Sequence, residues 1–173
     1  MAEVYAKQTN AALARAKVMI ESAEVQLSEG GWSQTIKLTA LCQAALLQLM
    51  LAMHAYRREL AENSNFPTAG INELSDLVTL FESQGLVTGE VSELQILSEN
   101  LSSWLIKLER GYAQCWEPEA QASISSREAQ TSEIQLFEVK EPSASQLGSA
   151  ELHWIYSEFS SLIARHRISM QEW

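Results

Sequence analysis

The sequence predicts an all-α fold: a single-domain helical bundle of about five helices, built on a long antiparallel hairpin of the first two. Three observations carry this reading. The segment Leu38–Met53, LTALCQAALLQLMLAM, contains no charge and only Thr39, Gln43 and Gln48 interrupt its apolar run. A helix apolar on nearly all sides has to be enclosed by other helices or by lipid. The remaining segments repeat apolar residues three and four apart, the spacing of amphipathic helices with polar outer faces. Gly and Pro are scarce, 7 and 3 among 173 residues, and fall mostly between these patterns. That length suits one domain whose core needs no covalent staples.

The first helix is expected over Glu3–Ser28, where Leu13, Ala16, Ile20, Ala23 and Leu27 share one stripe. Ala11, Ala12, Ala14 and Ala16 favour the helix and let a neighbour approach closely. Gly30-Gly31 ends it, because glycine accepts the left-handed conformation at a helix C-terminus. The second helix is expected from Ser33, as N-cap, to Asn63. Two helices of such length, roughly 40 Å at ~1.5 Å per residue, joined by so short a turn, form an antiparallel hairpin.

The stretch SNFPTAG, residues 64–70, reads as a loop. A third helix spans Asn72–Gln84, with Asn72 capping it, acids in its first turn and Leu74, Leu77, Val78 and Phe81 inward. The fourth starts near Thr88 or Ser92 and runs to about Trp116, with Val91, Leu94, Leu97, Leu101, Leu105, Leu108, Tyr112 and Cys115 in period and Pro118 as stop. Gly111 interrupts that pattern near its end. Residues 117–146 read as a long polar linker within the domain, relieved by the apolar patch IQLFEV. The fifth helix covers Ser149–Glu172, with Leu152, Ile155, Phe159, Leu162, Ile163 and Met170 inward.

The net charge of −10 is unevenly spread: no Lys or Arg lies between Arg58 and Lys107, while eight carboxylates do. Phosphate backbones are gripped by clustered cations, so neither nucleic acid nor an anionic membrane is expected as partner. The N-terminus lacks the basic-then-apolar pattern of a secretory signal. The run Leu38–Met53 is shorter than the ~20 apolar residues of a membrane span, and extending it meets His54, Arg57 and Arg58. A soluble cytoplasmic protein is expected, with Cys42 and Cys115 as packed, reduced thiols.

No catalytic motif emerges. Glu-x-x-His pairs of di-metal bundles are absent, as are Cys–His zinc spacing, Gly-x-Ser-x-Gly and a phosphate-cradling glycine loop. No cofactor or metal is called for. Cys42 sits among Ala and Leu, and Cys115 at a helix C-terminus, both unfavourable to a thiolate. Gln43 and Gln48 need partners if buried, either to set helix register or to hold a small ligand. His54 and Arg57 follow on the same helix, so Gln43, Gln48, His54 and Arg57 are the candidate ligand-binding residues. The groups Tyr56-Arg57-Arg58 and Arg165-His166-Arg167 otherwise read as solvated helix ends. Trp154 and Tyr156 stand two apart and cannot both face one core, which makes them candidate interface residues.

The segments YAKQTNAALARAKVMI, CQAALLQLMLAMHAYRREL, SSWLIKLERGY and ARHRISMQEW resemble an uncharacterised family of small helical proteins from gammaproteobacteria, known only as a domain of unknown function. The resemblance implies a bacterial cytoplasmic α-protein and brings no activity with it. The bundle is also superficially similar to HEPN domains, whose ribonuclease motif sets an Arg and a His four to six residues apart. Here Arg165 directly precedes His166, and no Arg stands at that interval before any His. The expected function is a non-enzymatic interaction or scaffold protein, self-associating or bound to a protein partner. The alternative is a small-ligand-binding bundle with a pocket near the long apolar helix.

Overall fold

Six α-helices form in the computed structural model, which describes residues 4–29, 31, 33–116 and 147–171. They are α1 (Val4–Glu29), α2 (Gln34–Asn63), α3 (Leu74–Ser83), α4 (Gly89–Glu99), α5 (Trp104–Gln114) and α6 (Ser149–Gln171). No strand occurs among the described residues. The all-α class and the α1–α2 hairpin are as expected; the described residues hold six helices against about five expected, because the expected fourth divides into α4 and α5. The polar segment 117–146, with its IQLFEV patch, lies outside the described residues.

Alanines make the hairpin close. Ala12, Ala16 and Ala23 of α1 and Ala45, Ala52 and Ala61 of α2 are all buried, and short side chains let two helices meet with little between them. Helix α6 lies on both members of the hairpin and on α5, presenting Leu152, Ile155, Phe159, Leu162 and Ile163 to the core. Helices α3 and α5 pack on α2, and α4 bridges α3 and α5. At the centre Phe159 meets the edge of Tyr56 and stacks on Trp104, with ring centroids 5.8 and 5.2 Å apart.

The expected enclosure of the apolar helix is corrected. Its inward residues Leu49, Met53 and Tyr56 are inaccessible, but Ile36, Leu47 and Leu51 are exposed. Helices α1, α3, α5 and α6 cover only part of its circumference.

The expected continuous fourth helix breaks at Asn100–Ser103 because short polar side chains capture the backbone there. Asn100 Oδ1 accepts hydrogen bonds from Ser102 N (3.0 Å) and Ser102 Oγ (2.8 Å). Ser103 Oγ donates to the Leu97 carbonyl at 2.6 Å and accepts from Ile106 N at 3.2 Å, ending α4 and capping α5. Leu101, expected inside, falls on this corner and is exposed.

Three other local expectations change. Ser33 has φ 68° and makes no capping bond; instead Gln34 Nε2 donates to the carbonyls of Gln26 and Leu27, both at 3.2 Å, which ties the turn. Leu27, expected on the inner stripe, is exposed at this end. The cap of α3 is Glu73 rather than Asn72: Asp76 Oδ2 accepts from Asn72 N (2.9 Å) and Glu73 N (2.8 Å). Of the two expected starts of α4, Thr88 and Ser92, the helix uses the first, with Thr88 as its cap. Gly111 is explained by packing: a Cβ there would stand 2.6 Å from Leu147 Cδ1 and 3.3 Å from Leu46 Cδ2.

Candidate functional site

The C-terminal half of α2 gathers most of the buried polar chemistry. Tyr56, Arg57 and Glu59 are 0, 3 and 1% exposed, so this is not the solvated helix end the sequence suggested. Arg167 of α6 donates to both oxygens of Glu59, at 2.7 and 2.9 Å, and its Nη1 donates to Asn10 Oδ1 at 2.8 Å. One guanidinium thereby ties α6 to α2 and α1.

Beside it, the Tyr56 hydroxyl lies 2.5 Å from His166 Nδ1, and His166 Nε2 lies 2.8 Å from Glu93 Oε2. Burial first, and the Glu59 charge second, push the Tyr56 phenol well above its ordinary range, so it stays protonated in its hydrogen bond with Nδ1. Nε2–H then donates to Glu93. Burial raises the Glu93 carboxyl, but the hydrogen bond from His166 and the charge of Arg165 outweigh it and leave it below its usual range. Arg165 meets the other Glu93 oxygen at 2.5 Å. The Arg165-His166-Arg167 group is therefore also not a free solvated end. It reaches α4 and α2 through carboxylates whose sequence positions gave no hint of the pairing. Tyr56 and His166 are buried and Glu93 is half-exposed, and their hydrogen bonds clamp α2, α6 and α4 together.

Two of the four expected ligand-binding residues converge. His54 and Arg57 line an open cleft of about 650 Å³ between α2, α3, α4 and α5, with Glu73, Glu99, Glu109 and Tyr112 around it and Met50, Leu74 and Val78 as its apolar wall. Arg57 donates to Glu109 Oε1 at 2.9 Å and to the Asn72 carbonyl at 3.4 Å, while its buried Nε has no partner. Burial lowers the Arg57 pKa, with Glu109 opposing it. Burial and then the Arg57 charge push His54 below its ordinary value, so its imidazole is neutral near pH 7. The volume suits a small molecule, and carboxylates outnumber cations on its walls. Sequence reading missed Glu73, Glu99 and Glu109 here because they come from three other helical segments.

Gln43 and Gln48 lie elsewhere. Gln43 is exposed beside a cavity of about 20 Å³ that Cys42 and Cys115 also line, room for about one water. Burial raises both thiols, and both cysteines are free. Gln48 accepts from Arg15 Nε at 2.9 Å on the open side of the hairpin. Gln43 and His54 are eleven residues apart, about 16 Å along the helix, which keeps them out of one small site. Trp154 is 39% exposed with Lys107 Nζ 4.9 Å from its ring centroid. Tyr156 is half-buried and packs on the core cluster. Among the described residues no group of three or more His, Cys, Asp or Glu could hold a metal ion.

A different surface escaped the search for inward stripes. Val4, Ala11, Val18 and Val25 recur every seven residues along α1, all exposed. On α2, Ile36, Ala40, Leu47 and Leu51 are exposed as well. The Arg15–Gln48 bond shows that these strips border one open side of the hairpin. Ala11 and Val18 flank Arg15 at helical spacing, and Ala44 and Leu51 flank Gln48. The seven-residue spacing was visible in the sequence, as a second period on a helix already assigned an inner face.

Neither the curated proteins nor the solved structures contain a match to this chain. A family model does match, over residues 1–173, and with it the chain belongs to the family of unknown function DUF6586.

Proposed function

We propose that this protein is a non-enzymatic interaction or scaffold protein that self-associates. The observation that carries the proposal is the apolar outer face of the α1–α2 hairpin, with Val18 and Val25 each 54% exposed and Ile36 56%. Extended apolar surface on a soluble chain marks an interaction site, since covering it removes that area from water. In the Tyr56–His166–Glu93 constellation the hydroxyl and the imidazole are buried and their polar atoms are occupied within it, which also favours assembly over catalysis. Trp154 and Tyr156 stay in the proposal as a second contact surface. A gammaproteobacterial source and a cytoplasmic setting belong to the same reading, supported by the segments quoted above, the acidic balance and the two free thiols. Sedimentation of the purified protein over a hundredfold concentration range tests it. A monomer throughout, with no protein partner, overturns it.

The cleft around His54 and Arg57 supports a second reading, a bundle that binds a small molecule. A retained small-molecule mass in native mass spectrometry, lost in Arg57→Ala, favours it. A clean apo mass with no thermal stabilisation by a metabolite panel removes it.

A further inference from the structure

We infer that the outer face of the α1–α2 hairpin seats a second copy of this chain, with the two α1 helices antiparallel about a two-fold axis at Val18. This rests on the self-association reading and adds the partner, the surface and the register.

The spacing of Val4, Ala11, Val18 and Val25 points to a helix as the occupant. A seven-residue repeat keeps its residues on one narrow seam that can face a partner helix. It supplies one of the two apolar positions of a coiled-coil heptad, the other being the largely polar line Lys7, Ala14, Glu21 and Ser28. A globular core would spread its apolar positions over a wider stripe, and α1 has such a stripe on its other side, in Ala12, Leu13, Ala16, Ile20 and Ala23. The helix is thus apolar on two opposite faces, and among the described residues α2 and α6 cover one of them.

Area is consistent with a stable dimer. With the axis at Val18, residues 7–29 of α1 overlap over about 35 Å, and two helices side by side are about 20 Å wide. Their product, roughly 700 Å², lies within the range that each partner of a standard interface contributes.

Charge selects both the partner and the direction. On the N-terminal side of Val18, α1 carries Lys7, Arg15 and Lys17, and on the C-terminal side Glu21 and Glu29, with Glu24 turned to His153 of α6. A parallel pair would set like against like; an antiparallel pair sets basic against acidic. Lys17 and Glu21 lie on the same edge of the Val18 strip, 57 and 58% exposed, and 3.8 Å apart within the chain. The two-fold axis brings Lys17 to within two residues, about 3 Å of axial offset, of the partner's Glu21. Ala11 faces the partner's Val25. On the opposite edge Leu47 and Leu51 complete the contact. A membrane surface would cover the valines too, but Glu21, Glu29 and the net charge of −10 are repelled by anionic headgroups.

The test uses Lys17→Glu and Glu21→Lys in the full chain. The first variant places four carboxylates across its own two-fold axis and the second four ammonium groups. Each weakens the homodimer by roughly tenfold or more, because like charges are juxtaposed. An equimolar mixture restores a 1:1 heterodimer, read by native mass spectrometry with one chain isotope-labelled. Circular dichroism of each variant matching the parent shows that the fold is kept. If the parent dimerises and neither variant nor mixture changes it, the register is wrong and self-association uses another surface. A parent that stays monomeric at every concentration overturns both readings, as does a parent that is monomeric and floats with vesicles of phosphatidylcholine and phosphatidylglycerol.

Discussion

Replacing Arg167 with Met should be among the most damaging single changes in this fold, although its own side chain is 27% exposed. The damage arises at the partner. Glu59 is 1% exposed and its two carboxylate oxygens accept from Arg167. The methionine keeps much of the apolar stem and removes the guanidinium, leaving a buried carboxylate with its main counter-ion gone. Breaking a buried pair from one side costs about 3–5 kcal/mol, and the partial exposure of Arg167 argues for the lower end, about 3 kcal/mol. For a chain of this size that lowers the melting temperature by roughly 6–12 °C, at about 2–4 °C per kcal/mol.

Urea unfolding followed by circular dichroism checks this, with Glu59→Met and the double variant completing the cycle. The double variant removes both charges, so it should recover most of the loss; an apolar pair of matched volume is often neutral relative to a buried ion pair. A loss below about 1 kcal/mol for Arg167→Met would refute the reasoning, since that is the scale of an exposed pair. So would a double variant that simply adds the two single losses, because independent sites add and coupled ones do not.

Two further outcomes follow from the same packing. His54 is pushed below its ordinary pKa by burial and Arg57, so the unfolded chain takes up a proton first as pH falls. The folded protein therefore loses stability from the unfolded imidazole value of about 6.5 down through the depressed folded value, and holds it above that window. Melting temperatures from pH 8 to 5 should show the decline in the parent and a shallower one in His54→Gln; equal slopes count against it. Ala16 is 0% exposed where α1 meets α2, so Ala16→Leu should overpack the contact and lose about 1–3 kcal/mol, whereas an unchanged urea midpoint would show a looser hairpin than described.

What could be read in the sequence follows from what a local pattern can encode. The buried stripes of α1 and α6 and the run in α2 each lie within one segment, and a period within one segment is visible without knowledge of neighbours. The split between α4 and α5 was encoded in Asn100-Leu101-Ser102-Ser103, but Leu97, Leu101, Leu105 and Leu108 kept a helical period across it and outweighed the turn chemistry. The polar clamps were out of reach for a different reason. Glu59 and Arg167, or Glu93 and His166, are separated by 108 and 73 residues, and each alone resembles a surface charge. The cleft was half legible: His54 and Arg57 sit one turn apart on one helix, while Glu73, Glu99 and Glu109 arrive from other elements.

These two kinds of information divide the faces of α1 between different tasks. Its inner face is alanine-rich and held by α2 and α6, and its N-terminal region is further tied through Asn10 to Arg167 and through the Tyr5 amide to Glu62. The outer valines make no contribution of that kind, because what they cover is water. Their substitution by polar residues should therefore leave the fold intact and should even favour the isolated chain by removing exposed apolar surface. A helix anchored on one side by small residues and by distant ion pairs is free to carry a second, seven-residue pattern on the other. Assembly, if it uses that pattern, can be tuned without disturbing the core beneath it.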